Sequence, residues 1–211
     1  MIQILCVRLS QLTEDLYKTL YRQASPTRKI RADHCRTFSN AARCIIADAL
    51  VRFSLQKFCG CTAPFQEVCS PAGKPAIPQF PDFHYNLSHS GDWVVIAWGN
   101  SPVGIDVQQS ANRKLDDLAR RYFAPEEQQY LFSKESEAER IEAFFQIFTA
   151  KESYVKYLGT GITKDFSRFQ TLNPEMLGVS LQHIPMDSAH LCLCSRDPDY
   201  RLRFLSPEEL V

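Results

Sequence analysis

Asp106, Glu152 and Lys156 are the residues of this chain whose type and spacing suit chemistry best. Val103-Gly104-Ile105-Asp106-Val107-Gln108 alternates strictly, so Val103, Ile105 and Val107 share one face of a strand and Gly104, Asp106 and Gln108 the other. Asp106 is thus a strand carboxylate, and the neighbouring glycine leaves room for a ligand to approach. Glu152 and Lys156 lie four and eight residues beyond Phe148 on the stripe begun by Ile141, Phe144 and Phe145, which keeps them in line with the core side of a helix. Each also has an ordinary reading: a salt bridge to an arginine or a strand-end hydrogen bond for Asp106, and an i, i+4 surface pair for Glu152 and Lys156. Brought together, the two carboxylates make an oxygen site for a hard divalent ion. Mg²⁺ takes one or two protein carboxylates and fills its shell with water and phosphate oxygens. The basic set Arg28, Arg31, Arg43, Lys74, Lys151 and Lys156 matches a ligand with several phosphates.

The element that must position Glu152 and Lys156 is a long helix over residues 136–159, with Ser136 and Glu139 spaced as a capping box and Gly159 as its stop. Arg28 and Arg31 belong to the most basic stretch of the chain, after Ser25-Pro26, and read as a phosphate cluster or as a solvated face beside a turn. Arg43 falls near the start of a helix over 39–58, an end whose free N–H groups favour anions. Lys74 sits in a Pro/Gly turn. Strands over 85–87 and 93–98 flank a polar loop, 88–92, in which Ser88 and His89 could hold an anionic ligand or serve the turn alone. Further helices are expected over 11–22, 115–123 and 125–131. Further strands are expected over 2–9, 65–69, 167–172, 177–184, 190–194 and 200–205, the later ones separated by Asn-Pro, Ile-Pro and Asp-Pro turns. Helix plus short strands in each half suggests an α+β fold of two similar lobes, 1–102 and 103–211, meeting near 100–110.

The 211 residues are 45% hydrophobic, ample for a core, and Lys+Arg and Asp+Glu are balanced at 24 each. That balance gives no overall field for nucleic acid or an anionic membrane, so anion binding must be local. The strongest apolar run, Trp93 to Trp98, is far short of the ~20 residues of a membrane span, and a cytoplasmic location is expected. The eight cysteines are expected to be reduced, and the two C-x-C pairs lack zinc-finger spacing.

Gly73-Lys74-Pro75, Tyr85-Asn86-Leu87-Ser88-His89-Ser90-Gly91-Asp92-Trp93 and Gly104-Ile105-Asp106 occur in that order, followed 42 residues after Asp106 by Phe148-Thr149-Ala150-Lys151-Glu152-Ser153-x-x-Lys156. Over about residues 25 to 165 the chain closely resembles the 4′-phosphopantetheinyl transferases of the surfactin-synthetase-activating type. The resemblance implies a monomer of two pseudo-symmetric lobes, each a small, mainly antiparallel sheet on a long helix, with the active site in the cleft. The implied activity is transfer of the phosphopantetheine arm of coenzyme A to a serine of an apo acyl or peptidyl carrier protein, releasing adenosine 3′,5′-bisphosphate.

Carried over by position, Asp106 and Glu152 would bind Mg²⁺, and Glu152 would take the serine proton directly or through a metal-bound water. Arg28, Arg31 and Arg43 would face the 3′-phosphate, Ser88 and His89 the phosphates, and Lys74 the coenzyme A site. Lys151 and Lys156 would steady the diphosphate, with Lys156 compensating charge on the leaving group. The family commonly has a second acid two residues after the aspartate. Here Gln108 stands there, a ligand without charge. Carrier docking is expected near the cleft and 113–132. The same residues would also suit a coenzyme A pyrophosphate hydrolase, or a non-catalytic module binding coenzyme A or a carrier.

Overall fold

In chain order the elements are β1 (Ile2–Arg8), α1 (Glu14–Gln23), α2 (Pro26–Asp33), α3 (Phe38–Cys59), β2 (Val68–Cys69), β3 (Pro75–Ala76), β4 (His84–Ser90), β5 (Trp93–Gly99), β6 (Val103–Gln109), α4 (Leu115–Tyr122), α5 (Pro125–Phe132), α6 (Glu137–Leu158), β7 (Ser180–Met186), β8 (Ala189–Ser195) and β9 (Tyr200–Leu205). The computed structural model describes residues 1–110, 115–161 and 164–211. The fold is mixed α+β. No helix among the described residues is long and apolar enough to cross a membrane, and all eight cysteines are free thiols.

One sheet has the order β4-β5-β1-β9 and a second the order β6-β8-β7, with β2 and β3 forming a small pair. In the first sheet Leu5, Val7, Val94 and Ile96 face α3, whose Ile45, Ile46 and Leu50 are buried against them. On its other face Ile2, Ile4, Cys6, Val95 and Ala97 pack against Val103, Ile105, Val107, Leu191 and Leu193 of the second sheet. Burial on both faces explains why β5, and β1 apart from Gln3 and the closing Arg8, read as apolar runs without alternation. The remaining face of the second sheet carries α6. Both long helices are 22 residues and end at a left-handed glycine, Gly60 (φ 71°) and Gly159 (φ 70°). The Ser136–Glu139 capping box is present at the start of α6.

Gly104 sets how closely α6 approaches β6. A Cβ there would lie 2.0 Å from the Ser153 carbonyl oxygen and 2.4 Å from the Tyr157 nitrogen, both rigid helix backbone. Gly104→Ala is therefore expected to cost at least about 2 kcal/mol, a drop in melting temperature of roughly 4–8 °C. An unchanged melting curve would show that the helix can slide away freely.

Several elements differ from the sequence reading. The basic stretch after Ser25 is a helix, α2, capped by Ser25 with Pro26 in its first turn. β4 runs on through Ser90, so the loop expected over 88–92 shrinks to a turn at Gly91 and Asp92. Residues 167–172 form no strand; a 3₁₀ turn, Lys164–Arg168, and bends stand there. Pro185 lies inside β7 rather than in a turn, tolerated because β7 is an edge strand. The final strand, β9, pairs in parallel with β1, so a division at 102/103 leaves the last strand of the second half completing the first sheet.

Candidate active site

Asp106 sits on β6 with 1% of its surface exposed, on the face turned to α6. The edges of the two sheets meet here through side chains. Asn86, Ser88 and Ser90, every second residue of β4, accept from the backbone N–H groups of Ile105 (2.8 Å), Val107 (3.2 Å) and Gln109 (3.0 Å). This seam satisfies one edge of β6 and fixes Ser88 beside Asp106. The Ser88 hydroxyl donates to Asp106 Oδ1 at 2.8 Å. Lys156 Nζ reaches across from α6 and donates to Asp106 Oδ1 (2.6 Å), Ser88 Oγ (2.9 Å) and the Ile105 carbonyl (3.2 Å).

Glu152, one helical turn before Lys156, is 8% exposed. Burial pushes its carboxyl up to about 7, the Asp106 charge adds to the rise, and Lys156 opposes it. The two acids therefore share one electrostatic environment although 46 residues separate them. Glu152 and Lys156 line a groove of about 260 Å³ with Gly73, Lys74, Asn86 and Gly159. The Lys74 ammonium is held in the wall, donating to the carbonyls of Tyr157 (2.6 Å) and Val103 (3.4 Å), and burial lowers its pKa.

Positive charge continues from this point toward α2 and α3. Desolvation lowers the pKa of the His89 imidazole, and the charges of Arg43 and Lys156 lower it further. Arg43 donates to Asn40 Oδ1 (2.8 Å) and to the Gly91 carbonyl (2.6 Å), while its Nε is buried without a partner. Arg28 and Arg31 both act on the Cys44 thiol of α3, partly offsetting the rise that burial and Cys35 impose on it. Arg31 is exposed. Arg28 is not free: its Nη2 donates to both Glu67 oxygens at 3.0 Å.

Residues 102–205 match the model of the 4′-phosphopantetheinyl transferase superfamily. The chain is 33% identical over 175 residues to 4′-phosphopantetheinyl transferase psf-1 of Bacillus pumilus, covering 79% of this chain and 73% of that protein. The chain belongs to the 4′-phosphopantetheinyl transferase superfamily. It is also 29% identical over 204 residues to 4′-phosphopantetheinyl transferase Sfp of Bacillus subtilis strain 168, covering 86% of this chain and 88% of that protein.

Within this phosphopantetheinyl transferase, Lys151 departs from the role read for it in the sequence. It is fully buried, forms an ion pair with Glu127 at 2.8 Å, and donates to the carbonyls of Phe166 and Phe169. Its position one residue before Glu152 turns it about 100° around α6, into the core under α5 rather than toward the groove. Gln108 does stand beside Asp106, but its amide nitrogen donates to Asp106 Oδ2 (3.1 Å) while its oxygen faces the Ser90 hydroxyl. To ligate a cation with oxygen, the amide must turn over. Arg113, at the start of the expected carrier-docking stretch, lies outside the described residues. Sequence reasoning missed the seam of Asn86 and Ser90, and the carboxylates Glu67 and Glu127. The seam alone left a signal, polar Asn86, Ser88 and Ser90 at every second place of the strand, with Tyr85 and Leu87 between them.

Proposed function

We propose that this chain transfers the 4′-phosphopantetheine arm of coenzyme A to a serine hydroxyl of an apo carrier protein, with adenosine 3′,5′-bisphosphate as the leaving group. The observation that carries the reading is Lys156, which lines a groove with Glu152 and bonds the buried Asp106 behind it, in a chain of this superfamily. The packing of α3 on the first sheet and α6 on the second supports two pseudo-symmetric lobes, 1–102 and 103–211, with β9 of the second crossing to the sheet of the first.

The donor set fits Mg²⁺. Burial first, and then the neighbouring Asp106 charge against a single opposing lysine, make Glu152 resist ionisation, and a bound cation would relieve both. Among the described residues no group of three or more His, Cys, Asp and Glu side chains could hold a metal. Two carboxylates are what Mg²⁺ usually takes when substrate phosphate completes its shell. Asp106 and Glu152 would hold the ion, and when bound it would neutralise charge on the phosphoryl oxygens.

The protein's own groups supply the rest. The Glu152 carboxylate takes the proton of the carrier serine as its oxygen attacks the β-phosphorus. The bond to the leaving bisphosphate breaks, and Lys156 compensates the charge that appears there. All three Lys156 donors are already engaged, so this contact exchanges its longest bond, the 3.2 Å one to the Ile105 carbonyl, for a phosphate oxygen. Ser88 and His89 line the path of the phosphates, Lys74 the groove, and Arg31 and Arg43, with Arg28, the side of the 3′-phosphate.

Mass spectrometry of an apo carrier protein incubated with coenzyme A, Mg²⁺ and this chain tests the reading. A gain of one phosphopantetheine is expected. Free phosphopantetheine with unmodified carrier would mean hydrolysis instead, and no product at all a binding module. A second measurement concerns Gln108. An uncharged neighbour holds a cation less tightly than an acid, so Gln108→Glu is expected to lower the Mg²⁺ concentration for half-maximal activity several-fold. Equal half-saturation in the two proteins would remove Gln108 from the ion's surroundings.

A further inference from the structure

Among the described residues, Arg28 is the member of the three-arginine set that has a carboxylate partner. The Arg28 side chain is 11% exposed and that of Glu67 16%, with both carboxylate oxygens 3.0 Å from the same guanidinium nitrogen. The carboxylate is held from behind, because the Tyr85 hydroxyl also donates to Glu67 Oε1. Tyr85 is 1% exposed and stacked on Phe83, so its hydroxyl is fixed by the core. Glu67 therefore has two defined partners and is a built part of this corner, unlike the exposed ion pairs of the surface. A hollow of about 220 Å³, lined by Thr27, Arg28, Gln66 and Glu67 among others, opens beside the pair, so an incoming anion can reach the guanidinium.

We infer that Glu67 is a specificity-determining residue: by occupying Arg28 it weakens the protein's preference for a nucleotide bearing a 3′-phosphate over one that lacks it. The inference rests on the transferase reading, which puts the 3′-phosphate of coenzyme A beside Arg28, Arg31 and Arg43. A phosphate arriving there meets a neutral Arg28–Glu67 pair instead of a free cation. It must displace the carboxylate or share the guanidinium with it, at close range to a like charge. Of the other two cations, Arg31 is exposed and its charge is screened by water and salt. Arg43 has already spent donors on Asn40 and Gly91. The pull on the 3′-phosphate is correspondingly small. A ligand without that phosphate leaves the pair intact and loses little.

The test compares kcat/KM for coenzyme A and for 3′-dephospho-coenzyme A, using one apo carrier protein, in wild type and Glu67→Gln. Wild type is expected to favour coenzyme A by less than about tenfold, where one fully used charge-assisted contact would give about 10- to 100-fold. Glu67→Gln is expected to raise the preference at least about tenfold through a lower KM for coenzyme A, with kcat/KM for the dephospho form unchanged. Calorimetric binding of adenosine 3′,5′-bisphosphate against adenosine 5′-monophosphate should move in the same ratio without any turnover. If the glutamine variant does not fold, Glu67→Asp, one methylene shorter, is expected to shift the ratio in the same direction by a smaller factor. A ratio unmoved in whichever variant folds, while transfer itself proceeds, overturns the role of Glu67 alone. Failure of both nucleotides to modify the carrier overturns the transferase reading and this inference with it.

Discussion

Glu152→Gln is expected to lower phosphopantetheine transfer by about 100- to 10,000-fold, the range lost when a positioned general base is removed. Glutamine keeps the shape of the side chain and loses both the basic oxygen and the charge. Coenzyme A binding should stay within about threefold of wild type, because most of the nucleotide contacts read here lie on α2, α3 and β4. Stability gives a separate and less obvious readout. Glu152 is buried beside Asp106, and that is why its carboxyl is pushed up to about 7. Removing the charge removes both the desolvation cost and the repulsion, while Asp106 keeps Lys156 at 2.6 Å. The variant should therefore melt at or above the wild-type temperature while being inactive. A fully active glutamine variant would exclude Glu152 as base and as essential ligand, and a large loss of stability would show that the carboxylate has a structural partner.

What could be read in advance divides along a physical line. Asp106, Glu152 and Lys156 were legible because each is an exception within a strong local period, two residues for β6 and 3.6 for α6. The α6 caps were legible for the same reason, since Ser136, Glu139 and Gly159 act within a few residues of themselves. Ser-His-Ser-Gly-Asp has the composition of a turn, so the local sequence puts Ser88 in a loop. Its serines are polar because they bond to amides of β6, about 19 residues away, a contact that no local window contains. The strand β9 shows the same limit, since its pattern identifies a strand but not that it pairs with β1, at the other end of the chain. α2 is a different case: Ser25 and Pro26 are a cap and first-turn pair, a helix start that lies inside a stretch whose charge density has the composition of a solvated face. Lys151 turns away from the groove because a motif gives positions along the chain, whereas the groove selects positions around the helix.

Lys151→Met is accordingly expected to act on stability and not on the nucleotide. Methionine fills nearly the same volume but leaves Glu127, which has no solvent exposure, without its cation. Glu127 is a junction: Oε2 accepts from the Ala124 N–H at 2.9 Å, at the start of α5, and Oε1 accepts from the Thr171 N–H at 2.8 Å and hydroxyl at 2.9 Å. Those bonds still hold the carboxylate in place after the cation is gone, so it cannot escape to water. Breaking a buried pair from one side costs about 3–5 kcal/mol, which for a chain of this size lowers the melting temperature by roughly 6–20 °C. Adding Glu127→Gln in the same chain should recover part of that loss, since the amide keeps the shape and removes the uncompensated charge. Below the melting transition, KM for coenzyme A should be unchanged. A variant that melts like wild type but binds coenzyme A tenfold more weakly would return Lys151 to the diphosphate and break the link between α6, α5 and the 166–171 segment drawn here.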